Sequence, residues 1–280
     1  METKNLEQRY ERLIARCEKP SRYLDHEHGI RQKKSYGFHA VMVYPDVYEV
    51  GQPNQAVAIL YDVMNRMDGV YCERVYVPWT DMADAMRAEG LPLVSLETRT
   101  PLSEFDMVGI TLPHEMAYTN VLEVLDLAGI PLRSSERGSD MPIIMGGGPC
   151  VYNPEQVAPF FDAIQIGEGE EMMPEAVEVL WRERNGGSSR DEALHALAQV
   201  PGVYVPSLYR MVDGHAVSSG ADVPVRVEKR VVADFDASHI DLDPVVPYAE
   251  VVHDRFNVEV LRGCCRGCRF CQAGMTYRPV

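Results

Sequence analysis

Between residues 37 and 185 short apolar runs alternate with amphipathic helical stretches, and this alternation restricts the fold more than any other feature of the chain. Strands are expected at 38–44, 70–77, 93–96, 107–112, 143–145 and 163–166. Helices are expected at 53–67, 81–89, 114–128 and 170–184. In the first of these, Val57, Leu60, Tyr61 and Met64 recur at the i, i+3, i+4, i+7 spacing of a single helix face. The second should be capped by Thr80 or Asp81, and the third closed by Gly129 and Pro131. Strands that alternate with helices imply a parallel sheet covered on both faces. The expected fold is therefore α/β: a doubly wound, Rossmann-like sheet of the flavodoxin type, with its ligands beyond the carboxyl ends of the strands.

Composition narrows the function classes. The chain has 280 residues and is 46% apolar, enough for a real core. Its net charge of −15 argues against a non-specific nucleic-acid surface. No apolar run approaches the roughly 20 residues of a membrane span. The first 16 residues are charged and periodic, unlike a secretory signal, and a cytoplasmic, reducing setting is expected.

Three cysteines, Cys264, Cys268 and Cys271, are spaced C-x3-C-x2-C after the alternating segment Val258 to Leu261, which is expected to be a strand. Three thiolates on one loop can hold three irons of a 4Fe-4S cluster, leaving the fourth iron open to a small molecule. Cys265 could complete a four-thiolate zinc set, but structural zinc ligands usually come as two separated pairs. Cys265, Cys268 and Cys271 also read C-x2-C-x2-C, yet the ferredoxin continuation to a fourth Cys before Pro is missing.

With Phe270 in the aromatic position before Cys271, the loop resembles the C-x3-C-x-aromatic-C motif of the radical S-adenosylmethionine (radical SAM) superfamily. The resemblance implies that the open iron chelates S-adenosylmethionine, with Phe270 beside the adenine. Reductive cleavage would then give a 5′-deoxyadenosyl radical. It also implies an electron donor such as flavodoxin or ferredoxin. Such enzymes cover the cofactor with several further βα units, and only nine residues follow Cys271, so this chain alone is expected to be incomplete.

Three strand-end loops resemble those of cobalamin-binding domains. Asp46-Val47-Tyr48-Glu49-Val50-Gly51 stands where the family has D-x-H-x-x-G, with Tyr48 in the place of the cobalt-ligating histidine. Gly109-Ile110-Thr111-Leu112 stands at the S-x-L position, with Thr111 for Ser. Gly146-Gly147-Gly148 stands where glycines let the nucleotide tail pass. The resemblance implies that Asp46, Tyr48, Gly51, Thr111, Gly146, Gly147 and Gly148 contact cobalamin, without a histidine on cobalt. Within that class, Tyr44-Pro45-Asp46, Gly146 to Pro149 and Asn153-Pro154-Glu155 are similar to a little-characterised bacterial family.

The expected organisation is a helical lead over 1–36, a cobalamin-binding-like domain over 37–185, a β-containing connector over 186–250 and the start of a radical SAM domain over 251–280. The connector should contain a hairpin at Asp213-Gly214, and His253 is a weak candidate near the cluster strand. Glu168, Glu170 and Glu171 are expected to serve the dipole of the helix that follows them, and Met172 and Met173 its core face. Two function classes stay open: a cobalamin-dependent radical SAM enzyme, or a cobalamin- or nucleotide-binding module whose cysteines are structural.

Overall fold

The computed structural model describes residues 2–235, 243–255 and 257–280. Five parallel strands form most of one sheet: β1 (Phe38–Tyr44), β2 (Val70–Tyr76), β3 (Met107–Thr111), β4 (Ile143–Gly147) and β5 (Ala163–Gln165). β6 (Val203–Tyr204) joins the far edge antiparallel to β5. The order β2-β1-β3-β4-β5-β6 reverses direction between β1 and β3, the flavodoxin-type switch point. Every residue of β1 and β2 is buried, because helices cover both faces.

On one face lie α2 (Tyr48–Gly51), α3 (Gln55–Arg66), α6 (Gly169–Gly186) and α7 (Arg190–Leu197). Their core includes Tyr61, Met64, Met172, Met173 and Leu197. On the other lie α1 (Glu2–Ile14), α4 (Thr80–Glu89) and α5 (Tyr118–Leu127), packed through Leu13, Met86, Val121 and Leu125. Among the described residues no helix is long and apolar enough to cross a membrane.

Several local expectations are corrected. The α4 N-cap is Trp79, which makes no side-chain capping bond, rather than Thr80 or Asp81. Residues 93–96 do not form a strand; Val94 makes only an isolated bridge to Pro101. Pro92 and Pro101 bring no backbone N–H to a ladder there, and the segment instead covers the outer edge of β2, with Leu96 N donating to the Arg74 carbonyl at 2.9 Å. Residues 257–262 form no strand either: no neighbouring strand stands beside them among the described residues, and Val258 and Val260 are exposed. α7 was missed, although Ser189 and Glu192 form a reciprocal capping box legible as S-x-x-E.

The connector hairpin is present as β7 (Tyr209–Val212) and β8 (His215–Ser218). Asp213 and Gly214 both take left-handed φ, 48° and 79°, as a two-residue hairpin turn requires. Downstream, the chain crosses the end of β5: Arg230 N donates to the Ile166 carbonyl at 2.9 Å, and Glu168 N to the Arg230 carbonyl at 3.1 Å. This crossing carries the chain back over the strand ends. A last short helix, α8 (Ala273–Thr276), follows the cysteine loop.

Candidate functional site

A cavity of about 420 Å³ opens at the carboxyl ends of β3, β4 and β5, within the usual range for small-molecule sites. It exists because glycines interrupt the side chains of one sheet face. Across that face Met42, Gly109 and Met145 are register partners on β1, β3 and β4, and Thr111 pairs with Gly147. Gly109 and Gly147 contribute no side chain to the row. A Cβ at Gly147 would meet nothing within 4 Å, whereas one at Gly146, on the opposite face, would press on Phe161 at 3.0 Å.

The structure brings Thr111, Gly146, Gly147 and Gly148 together around this cavity. It does not bring Asp46, Tyr48 or Gly51 to it. Asp46 Oδ1 accepts from Val47 N at 2.7 Å, a local turn contact. Gly51 is packed under the ring of Tyr76, 2.5 Å from where a Cβ would stand. Tyr48 is 1% exposed, lies edge-on to Tyr76 and donates its hydroxyl to Glu27.

Behind Tyr48 runs a buried charge network. Arg74 donates to Glu27 Oε2 at 2.5 Å and to Glu97 Oε1 at 2.7 Å, and all three side chains are at most 3% exposed. Burial pushes the Glu97 carboxyl above its ordinary value, against the pull of Arg74. Glu27 thereby ties the N-terminal lead to β2. Nothing in the sequence pattern marked this role.

The far wall of the cavity is the stem of the cysteine loop: Leu261, Arg262 and Gly263, with Tyr277 from the segment after α8. Arg262 holds the stem down. It pairs with Glu170, in the first turn of α6, with Glu259 at 2.7 Å and with Glu168 at 3.7 Å. Hydrogen bonding to Glu259, working against burial and joined by Glu170, raises the guanidinium above its ordinary value. Lys229 donates to the carbonyls of Thr276 and Arg278 at 2.8 and 2.6 Å and fastens the other side of the loop. Thus Glu168 and Glu170 do more than complement a helix dipole: they dock the cysteine stem. Glu171 is used in the same way on the connector, accepting from Arg230 at 2.9 Å. Burial raises the phenols of Tyr152 and Tyr277, so both lining tyrosines stay neutral.

Cys264, Cys265, Cys268 and Cys271 are all free thiols. Cys265 and Cys268 are exposed, and Cys264 and Cys271 half-buried. Phe270, 92% exposed, stands next to Cys271. Among the described residues no three His, Cys, Asp or Glu side chains stand close enough to hold a metal ion. The fit of such a loop to an iron–sulfur cluster is tested by its donor set. Three reduced, accessible thiols on one eight-residue loop match three irons. For cobalamin the fit is divided: the gap at Gly147 suits a flat group, while Tyr48 is turned away and committed to Glu27. His253 is exposed and lines no part of the cavity.

A protein of Methanocaldococcus jannaschii, called uncharacterized protein MJ0966, is 26% identical over 229 residues. That alignment takes in 80% of this chain but 42% of the relative, so the chain spans less than half of that protein. The structure of the radical SAM methyltransferase TsrM from Kitasatospora setae, with tryptophan substrate and the SAM analogue aza-SAM bound, superposes with a TM-score of 0.36 at 17% identity, over 64% of this chain and 29% of that one. Residues 56–206, more than half of the chain, match the family described as radical SAM proteins, N-terminal. The matched span takes in β2 to β6 and α7, leaves out β1 and the loop at 46–51, and stops short of the cysteine loop; on that match the chain belongs to the radical SAM proteins, N-terminal family.

Proposed function

We propose that this chain is the cofactor-binding portion of a radical SAM enzyme, with a 4Fe-4S cluster on Cys264, Cys268 and Cys271 and the flat part of a cobalamin in the strand-end cavity. The observation that carries this reading is the shared wall: the stem of the cysteine loop, Leu261 to Gly263, faces Thr111 and Gly147 across one cavity. A cluster on the loop and a ligand in the cavity would therefore be neighbours. When bound and reduced, such a cluster supplies an electron to the sulfonium of S-adenosylmethionine. The chain's own residues do the positioning. Arg262, Glu170 and Lys229 fix the loop over the sheet, and Gly147 leaves the space. Phe270 is the residue proposed to lie beside the adenine, and Asp46 and Gly51 shape the turn after β1 from outside the cavity.

The family match ends at residue 206, short of the cysteine loop, and leaves room for a second reading, in which the cavity binds its ligand with no chemistry on the cysteines. Anaerobic reconstitution with iron and sulfide separates the two. Cluster absorbance is expected in the wild type and in Cys265→Ala. It should be lost in each of Cys264→Ala, Cys268→Ala and Cys271→Ala. Equal loss at Cys265 would overturn the assignment of the three ligands. Titration with hydroxocobalamin tests the cavity independently, and absence of saturable binding up to high micromolar concentrations would remove cobalamin from the proposal.

A further inference from the structure

We propose that a second cavity, at the outer edge of β2, binds a small aliphatic carboxylate, with Arg99 and Tyr76 taking its charged end. The proposal is independent of the cysteine loop and of the strand-end cavity. The second cavity lies between α1, α4, the end of β2 and the 93–99 segment. Its body is apolar: Ile14, Val75, Met82, Met86 and Leu93 line it, and all five are buried. Its volume is about 50 Å³, room for about three to five water-sized groups at roughly 10–15 Å³ each. A nucleotide or an aromatic nucleus is too large for it, and a branched chain of a few carbons fits.

Two lining residues carry donors without a partner. Tyr76 is 9% exposed, and its hydroxyl is buried with no hydrogen bond among the described residues. Burial raises the phenol against the pull of Arg74, so the proton stays on. Arg74 cannot take that proton, because a guanidinium carries no acceptor, and its own donors are spent on Glu27 and Glu97. A buried hydroxyl proton without an acceptor is costly to keep, and a ligand oxygen would satisfy it. The second donor is Arg99, which makes no hydrogen bond or ion pair among the described residues. Its charge lowers the phenol of Tyr10, which lines the same cavity. Its φ is 56°, a left-handed backbone that is costly for an arginine and easy for a glycine. The loop holds it there: Ser95 N donates to the Thr100 carbonyl at 2.9 Å, and Thr100 N to Ser95 Oγ at 3.0 Å.

The sign of the ligand follows from the lining. In a chain of net charge −15, no acidic side chain lines this cavity. Arg22, the other lining cation, is paired with Glu49 at 2.9 Å, so the uncompensated charge on the wall is that of Arg99. One cation and one neutral donor beside apolar walls favour a carboxylate on a hydrocarbon body; inorganic phosphate would leave those walls unused.

The test titrates the 280-residue chain with isobutyrate, with its neutral isostere isobutyramide and with inorganic phosphate, followed by ligand-observed NMR and by fluorescence of Trp79, the neighbour of lining Pro78. Isobutyrate should bind saturably and about tenfold or more tightly than isobutyramide. Phosphate should not compete. Arg99→Gly should weaken isobutyrate by about tenfold or more and leave the melting temperature unchanged or higher, since it removes the charge and the backbone strain together. Arg99→Lys should retain part of the affinity. Tyr76→Phe keeps the ring packed on Gly51 and should weaken isobutyrate several-fold. Gly147→Val, which fills the other cavity, should bind isobutyrate as the wild type does. The wild-type comparison stands even if a variant fails to fold. No saturable binding of isobutyrate, equal binding of isobutyramide, competition by phosphate, or unchanged affinity in folded Arg99→Gly or Tyr76→Phe would each overturn the proposal. Loss of binding in Gly147→Val would overturn it too, by placing the carboxylate in the strand-end cavity.

Discussion

Thr111 on β3 and Gly147 on β4 are register partners, and the missing Cβ of Gly147 points into open space beside the Thr111 side chain. That one absent side chain sets the depth of the cavity. The neighbouring Gly148 serves a different purpose. Its φ is 108°, and a Cβ there would stand 3.0 Å from the backbone N and O of Leu112.

The two glycines should therefore separate binding from stability. Gly147→Val fills the gap without strain and should leave the melting temperature nearly unchanged. It should weaken hydroxocobalamin binding more than tenfold, above ~1.4 kcal/mol. Gly148→Ala should instead lower unfolding free energy by about 1–3 kcal/mol, the usual cost of forcing a side chain into a sparsely populated conformation. Urea unfolding and cobalamin titration on both variants check the pair. Loss of fold in Gly147→Val would show that the gap is structural.

Tyr48→Phe should behave in the opposite sense to a cofactor ligand. It removes the hydroxyl donated to buried Glu27 and touches nothing in the cavity. Stability should fall by about 1–3 kcal/mol, the cost of a buried acceptor left short of a partner, while cobalamin affinity stays within twofold. A large affinity loss at unchanged stability would place Tyr48 at the ligand after all.

Arg74→Met strands two buried carboxylates, Glu27 and Glu97, and should cost about 3–5 kcal/mol. Adding Glu27→Gln and Glu97→Gln to it should recover most of that loss, because the penalty belongs to the uncompensated charges. Urea midpoints of the single and triple variants decide the matter.

Acid should release the N-terminal lead. Burial alone would raise the Glu49 carboxyl, but hydrogen bonds from Lys19 and Arg22 outweigh it and hold the group below its ordinary 4.5. A carboxyl whose value is depressed on folding contributes stability above the unfolded value and loses it as pH falls through the folded one. Docking of residues 19–23 should thus be intact at pH 6 and weaken below about pH 4.5. In Glu49→Gln this step should be absent, with the lead weakened at every pH. Fluorescence of Trp79, which stacks under Arg22 at 5.0 Å, reports the release.

Much of the fold was legible in the sequence because it is local. Periodicity placed β1, β2, β3 and α3 within a residue or two, and glycine and proline marked the turns after β4 and α5. The C-x3-C-x2-C spacing stated its donor chemistry in the same local way. Periodicity failed at 93–96 and at 258–261, where apolar residues fit a strand but no partner strand stands beside them; pairing is a property of two segments, and one segment cannot declare it.

The strand-end loops were found by order along the chain, and only the tertiary structure decided which of them meet. Thr111 and Gly147 share a cavity because β3 and β4 are in register. Tyr48 faces away because one turn of helix after β1 carries it to Glu27, a residue from the lead that no local pattern could link to it. The sequence by itself determined the alternation of strands and helices and the thiols of the loop, which depend on near neighbours; the cavity arises where residues more than fifty positions apart converge, and long-range packing alone brings them together.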